Sequence, residues 1–168
     1  NAPILRTYND ARDVIVQSDF DRSLIESFFG KRDRVHVVRN GTDVDYIQSV
    51  DPMSAPSLHD VERVWSCASS WRPHKRLAEN IRYFMEHAGS RDVLVVAGEN
   101  PDVAIADHRV FYAGNLDYQN LVSLYRASDY FIHTSFLDHN PNVVVDARAA
   151  GCHIICSSTG GTEEIAGL

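Results

Sequence analysis

Short apolar runs alternate with amphipathic stretches along most of the chain. Asp13–Ser18 (DVIVQS) predicts a buried strand, and Ser18 then caps a helix that runs to about Phe29 and closes at Gly30. Arg34–Val38 predicts a second strand, ending in the strong turn signal Asn40-Gly41. A β-α-β piece of this size cannot cover both faces of its sheet and needs a partner surface. From Tyr46 to about Asp60 the periodicity fades while Pro52, Pro56 and several serines accumulate, which marks a linker. A regular alternation follows. Strands are expected over Val61–Ala68, Asp92–Ala97, Arg109–Tyr112, Asp129–His133 and Cys152–Cys156. Helices are expected over Arg76–His87, over Leu116–Ala127 with Leu121, Leu124 and Tyr125 at helical spacing, and from about Thr162 to a cut-off at Leu168. This is an α/β pattern: a parallel sheet with helices on both faces.

Ligands of such sheets bind beyond the C-terminal ends of the strands. The informative loops are therefore Ser69–Lys75, Gly98–Pro101, Gly114–Asp117, Thr134–Asn140 and Ser157–Gly161. The stretch from Asp138 to Gly161 (DHNPNVVVDARAAGCHIICSSTGG) holds two carboxylates eight positions apart. Val143-Val144-Val145 argues locally for a strand. Asn140 as a cap, Pro141 at the first helical position and Gly151 as a stop argue for a helix, which is the expectation here. On a helix Asp146 leans toward the N-terminal end, so Asp138 in the preceding loop should face the same space.

Composition narrows the function classes. The 168 residues are 44% hydrophobic and 23% charged, as in an ordinary globular protein. A net charge of −7 disfavours nonspecific binding to nucleic acid. No apolar run approaches the ~20 residues that span a bilayer, and no basic-then-apolar leader opens the chain. The first residue is Asn1 in place of Met, as in an excised or processed segment. Cys152 and Cys156 on one strand would lie roughly 13 Å apart, too far to bridge. With Cys67 they read as reduced, buried thiols of a cytoplasmic protein. The eight histidines show no metal-ligand spacing, so no metal is expected. No GxGxxG and no GxxxxGK[ST] is present, which lowers NAD-dependent and P-loop readings.

Three constellations carry chemistry. Trp71-Arg72-Pro73-His74-Lys75-Arg76 sets three permanent cations at the mouth of a strand, where helix starts ordinarily attract acids. Phosphate is the fitting partner, with Arg76 as bystander. Ser157-Ser158-Thr159-Gly160-Gly161-Thr162 offers a backbone that a ligand can approach closely. Asp138 and Asp146 accept hydrogen bonds from sugar hydroxyls without needing a donated proton. The D-x-D strings at Asp43–Asp45 and Asp19–Asp21 are coincidences of an aspartate-rich chain.

In series these motifs resemble the retaining glycosyltransferases of family four, which have the two-domain GT-B fold. Val38-Arg39-Asn40-Gly41-Thr42-Asp43 resembles the family's V-x-N-G-V-D segment, and Ser70 to Lys75 occupies the place of its G-R-x4-K phosphate motif. Asp138 to Asp146 falls on its E-x7-E motif, and Gly160, Gly161 and Glu164 on its G-G-x-x-E turn. The resemblance implies that residues 1–45 are a β-α-β remnant ending the acceptor-side domain, 46–60 a linker, and 61–168 a Rossmann-like nucleotide-sugar donor domain truncated at its C-terminal end. It further implies that Asp138 and Lys75 are catalytic. Ser70, Arg72, Lys75, Gly114, Asn140, Pro141, Asn142, Asp146, Gly160, Gly161 and Glu164 would hold the donor, with Asp146 on the ribose and Lys75 with Arg72 on the diphosphate. The implied reaction moves a sugar with retention from a UDP- or GDP-sugar to a glycan, lipid or protein acceptor, without cofactor or metal.

Two departures matter. Both glutamates of E-x7-E are aspartates here, each shorter by one C–C bond, roughly 1.5 Å. The motif's arginine falls on Ser70, which makes Arg72 a proposed substitute. Two rivals follow: a GT-B sugar-nucleotide epimerase, and a non-catalytic nucleotide-sugar-binding module. A receiver-like signalling domain would need its acids on early strands. The uncovered apolar face of the N-terminal piece should drive docking onto the main domain or self-association.

Overall fold

The computed structural model describes residues 2–54, 60–99, 101 and 103–167. Residues 55–59 of the expected linker, Asn100 in the Gly98–Pro101 loop and the expected helix cut-off at Leu168 lie outside them. The chain opens with α1 (Ala2–Asp10), β1 (Val14–Val16), α2 (Asp19–Phe29) and β2 (Val35–Val37). The strands β1 and β2 pair in parallel, and Ser18 and Gly30 cap α2 as expected, with Ser18 Oγ accepting from Asp21 N–H. α1 was not legible in the pattern, because it has no capping signal and is held by tertiary contacts. Its Tyr8 ring lies 5.4 Å from that of Phe29, and the Tyr8 hydroxyl donates to Gly30 O at 2.8 Å.

The expected linker begins with a helix, α3 (Val44–Ser49), capped by Asp43 Oδ1 accepting from Tyr46 N–H. Its Ile47 is fully buried against the main sheet's helices, and that contact overrides the weak local propensity. Five strands then form the main sheet: β3 (Val64–Ala68), β4 (Val93–Ala97), β5 (Val110–Gly114), β6 (Tyr130–His133) and β7 (His153–Cys156). Every pairing is parallel, in the order β5-β4-β3-β6-β7. The connecting helices are α4 (Leu77–His87), α5 (Tyr118–Ala127), α6 (Asn142–Ala150) and α7 (Thr162–Ala166).

Strand side chains alternate between two cores. Trp65, Cys67, Leu94, Val96 and Ile132 pack under α4 through Leu77, Ile81 and Phe84. Val64, Ala68, Val93, Val95 and Phe131 pack under α5 and α6 through Val122, Tyr125, Val144 and Ala147. Both faces are therefore covered, as an all-parallel sheet requires. The order also has a switch point. After β3 the chain turns to α4 on one face, and after the neighbouring β6 it turns to α6 on the other. A crevice opens between the two departing loops.

Phe84 is fully buried, edge-on to Trp65 with 5.8 Å between ring centroids and with the Arg109 guanidinium 5.2 Å from its own. We expect Phe84→Ala to lower the unfolding free energy by about 3–5 kcal/mol in urea titration. Phe28→Ser, at a position 74% exposed, should change it by less than about 0.5 kcal/mol.

Candidate active site

The two loops at the switch point bring Lys75 and Asp138 together. The loop after β3 closes in a single 3-10 turn, Pro73–Lys75. Arg76 follows with φ 55°, and this left-handed residue swings the chain into α4. The loop after β6 is pinned to it by Phe136 N–H donating to His74 O at 2.8 Å. Thr134 also donates to Asn80 Oδ1 on α4, through its N–H and its hydroxyl. Across this frame Lys75 Nζ donates to Asp138 Oδ2 at 2.5 Å. The buried His133, last residue of β6, meets the same oxygen through Nε2 at 2.9 Å.

Burial alone would raise the Asp138 carboxyl. The hydrogen bonds and positive charge from His133 and Lys75 outweigh it and hold the group well below its ordinary value of 3.8. The backbone of Asp138 is equally constrained. It bridges in parallel to Gly160, and Gly161 N–H donates to Asp138 O at 2.8 Å. Gly160 has φ +91°, and a Cβ there would run into the Asp138 backbone. The Gly-Gly turn thus serves to seat Asp138 as much as to leave room for a ligand.

Asp146 lies within α6 and is buried. Its neighbours are Thr42 and Tyr118, whose hydrogen bonds only partly offset the burial that raises its carboxyl above 3.8. It lines a polar opening of about 490 Å³ together with Gln17, Asn40, Thr42, Tyr118 and Asn142. A separate cavity of about 360 Å³ lies past the ends of β3 and β4, lined by Ser69, Ser70, Gly98, Asn115, Leu116 and Val143 among others. Ser70 therefore stands at a cavity wall, Gly114 ends β5 just before Asn115, and Arg72 is exposed at the turn.

One expectation needs correction. Asn140 does not cap α6: Pro141 holds the cap position, no side chain caps the helix, and Asn142 begins it. Asn140 Nδ2 instead donates to Gln17 O at 3.1 Å, because α2 and β2 pack close by. Asn142 Oδ1 accepts from Asn40 Nδ2 at 2.7 Å. Glu164 stands against the N-terminal end of α2. Its carboxylate takes the free N–H groups of Asp19 and Phe20 at 2.9 and 2.8 Å, with Arg39 at 3.1 Å. Arg76 pairs with Glu79 at 3.6 Å. Sequence reasoning missed His133, Thr42 and Tyr118. The signal for His133 was its place at the C-terminal end of a strand, five residues before Asp138.

The family model for glycosyl transferases group 1 matches residues 69–167, more than half of the chain. The chain belongs to that family. No curated protein matches it. Among solved structures, Anabaena HepE in complex with UDP and glucose is similar with a TM-score of 0.74 at 18% identity, covering 95% of this chain and 49% of its own. Sucrose-phosphate synthase from Thermosynechococcus elongatus aligns with a TM-score of 0.73 at 17% identity, covering 98% and 46%. A UDP-forming α,α-trehalose-phosphate synthase from Burkholderia xenovorans aligns with a TM-score of 0.72 at 15% identity, covering 97% and 50%. The likeness is one of fold, the GT-B architecture, and the chain spans about half the length of the solved structures it matches. The family match starts at Ser69, the first residue after β3, so it takes in both switch-point loops of this group 1 domain.

The two aspartates should shift stability in opposite senses. Asp138, whose carboxyl is depressed on folding, contributes stability above its ordinary titration range that is lost as pH falls below about 4. Asp138→Asn should therefore show a flatter loss of Tm between pH 5 and pH 3 than the parent. Asp146, raised on folding, stabilises below that range and weakens the fold as pH rises through its folded value. Asp146→Asn should raise Tm at pH 7, by up to about 4 °C, and by less at pH 3. Gly160→Ala should cost about 1–3 kcal/mol in urea unfolding, since both the φ angle and the Asp138 backbone oppose a methyl group.

Proposed function

We propose that this chain is the donor-binding half of a glycosyltransferase that moves a sugar from a UDP- or GDP-sugar to an acceptor with retention. The observation that carries the reading is the meeting of Lys75 and Asp138 at the switch point of a group 1 domain, beside a cavity lined by strand ends. In this reading the cavity takes the nucleoside. Asp146 accepts the ribose hydroxyls, the 3-10 turn with Lys75 and the exposed Arg72 takes the diphosphate, and Asp138 lies by the sugar. As the glycosidic bond breaks, negative charge gathers on the departing diphosphate, where Lys75 and Arg72 stabilise it. No metal is needed for that role. HepE, solved with UDP and glucose and with UDP-glucose, supports a uridine donor. The acceptor, a glycan, lipid or protein, would meet the donor on the side of Gln17 and Asn40. We place the reaction in the cytoplasm, where the three free cysteines stay reduced. Among the described residues no helix is long and apolar enough to cross a membrane.

One observation favours a second reading, a nucleotide-sugar-binding module without transfer activity. Asp138 is one carbon shorter than the family's glutamate and is already engaged by two donors. Product analysis with UDP-glucose and GDP-mannose separates the readings: sugar transferred to an acceptor marks the transferase, and binding without turnover marks the module. Free nucleotide with an altered sugar and no acceptor would mark an epimerase.

Thermal unfolding with UDP, GDP and UMP, with and without EDTA, tests the donor site itself. One diphosphate at ~100 times its dissociation constant should add roughly 2.7 kcal/mol of apparent stability, or about 5–10 °C in Tm. EDTA should not change this, and Lys75→Ala and Asp146→Ala should each abolish it. No shift with any nucleotide rules the reading out.

A further inference from the structure

One oxygen of Asp138 carries two donors of different mobility. Lys75 Nζ, at 2.5 Å, ends a flexible four-carbon stem on a turn and remains partly exposed. His133 Nε2, at 2.9 Å, belongs to a ring only 3% exposed, at the end of a central strand. That ring lies nearly parallel to Phe131, 12° apart at 6.4 Å. Lys75 can reach toward another anion, whereas His133 cannot follow. An ionised carboxylate only accepts, so Nε2 carries the proton in this contact.

The donor-site reading gives Lys75 to the diphosphate, yet in this structure Lys75 is bound to Asp138. A diphosphate must therefore compete with an internal carboxylate for the same ammonium. When it wins, Asp138 is left partly buried with one charged donor fewer, and leaving a buried carboxylate unpaired is strongly unfavourable. Resting on the donor-site reading, we infer that His133 is a positioning residue. It keeps Asp138 seated and hydrogen-bonded while Lys75 passes from Asp138 to the donor's diphosphate. The release of Lys75 is thereby made possible from behind, by a residue that touches neither nucleotide nor sugar.

This assigns opposite effects to two neighbouring side chains. Asp138 restrains Lys75, so its neutral isostere should strengthen nucleotide binding, because an amide holds an ammonium far less than a carboxylate does. His133 relieves that restraint, so its removal should weaken binding, and only while residue 138 is a carboxylate. A histidine that merely filled the core would instead affect both backgrounds equally.

The test is a double-mutant cycle read by titration calorimetry with UDP, or with GDP if the unaltered chain prefers it. Asp138→Asn should bind the nucleotide about 3- to 10-fold more tightly than the parent. His133→Ala should bind about tenfold more weakly, and His133→Gln, which keeps a side-chain donor, should recover most of that loss. In the Asp138→Asn background His133→Ala should change affinity by less than about twofold. Equal losses in both backgrounds would overturn the inference, and so would an Asp138→Asn chain that binds no tighter than the parent. The Asp138→Asn arm stands even if His133→Ala proves unfolded by circular dichroism. Failure of the unaltered chain to bind either nucleotide overturns the donor-site reading itself, an outcome distinct from a failed cycle.

Discussion

A carboxylate held ionised against its own burial is the interaction on which the rest of this structure turns. Burial opposes charge on Asp138, and the protons supplied by Lys75 and His133 more than compensate. That balance requires the loops after two neighbouring strands to meet within hydrogen-bond distance. A parallel sheet in the order β5-β4-β3-β6-β7 provides the meeting place, because the chain leaves β3 and β6 toward opposite faces. The left-handed Arg76, the glycine pressed against the Asp138 backbone and the Asn80 clamp on Thr134 all maintain that one approach.

The second acid is set for a different task. Asp146 is buried, its carboxyl is raised by that burial, and among the described residues Thr42 and Tyr118 are the hydrogen-bond partners that oppose the rise. Such a group weakens the fold at neutral pH in return for an acceptor aimed into a polar opening. Tyr118 is itself stacked on Tyr46 of α3, with ring planes 11° apart at 5.8 Å, so the environment of Asp146 reaches across to the segment between the two sheets. The two acids thus stand in different surroundings, one paired and held low, the other held high by burial.

The N-terminal piece meets the main domain through polar groups. Glu164 caps the exposed N–H groups of α2, Arg39 bridges Asp19 to Glu164, His139 meets Asp21, and Asn40 bonds both Asn140 and Asn142. A carboxylate at a helix N-terminus is favoured by the helix dipole as well as by the two hydrogen bonds. The apolar residues Ile15, Phe28 and Val38 stay exposed, so docking onto the main domain is not what covers them. A polar seam of this kind can be wetted and parted with less loss than an apolar one, which suits two lobes around a ligand.

Local signals determined much of this protein. Short apolar runs placed the strands of the main sheet, with Gly98, Gly114 and Gly151 marking the limits of three of them, and Ser18 and Gly30 bounded α2, because caps and turns are short-range chemistry. The spaced motifs placed Lys75 and Asp138 on strand-end loops, since a parallel sheet dictates where its loops emerge. Side-chain pairing was decided only by the tertiary structure. Asn140 read as a cap and became a tie to Gln17, Glu164 came to meet the first N–H groups of α2, and α1 and α3 formed where packing outweighed their weak propensities. The choice of His133 as the partner of Asp138, and of Thr42 and Tyr118 as those of Asp146, follows from which elements pack alongside, and no pattern along a single chain encodes that directly.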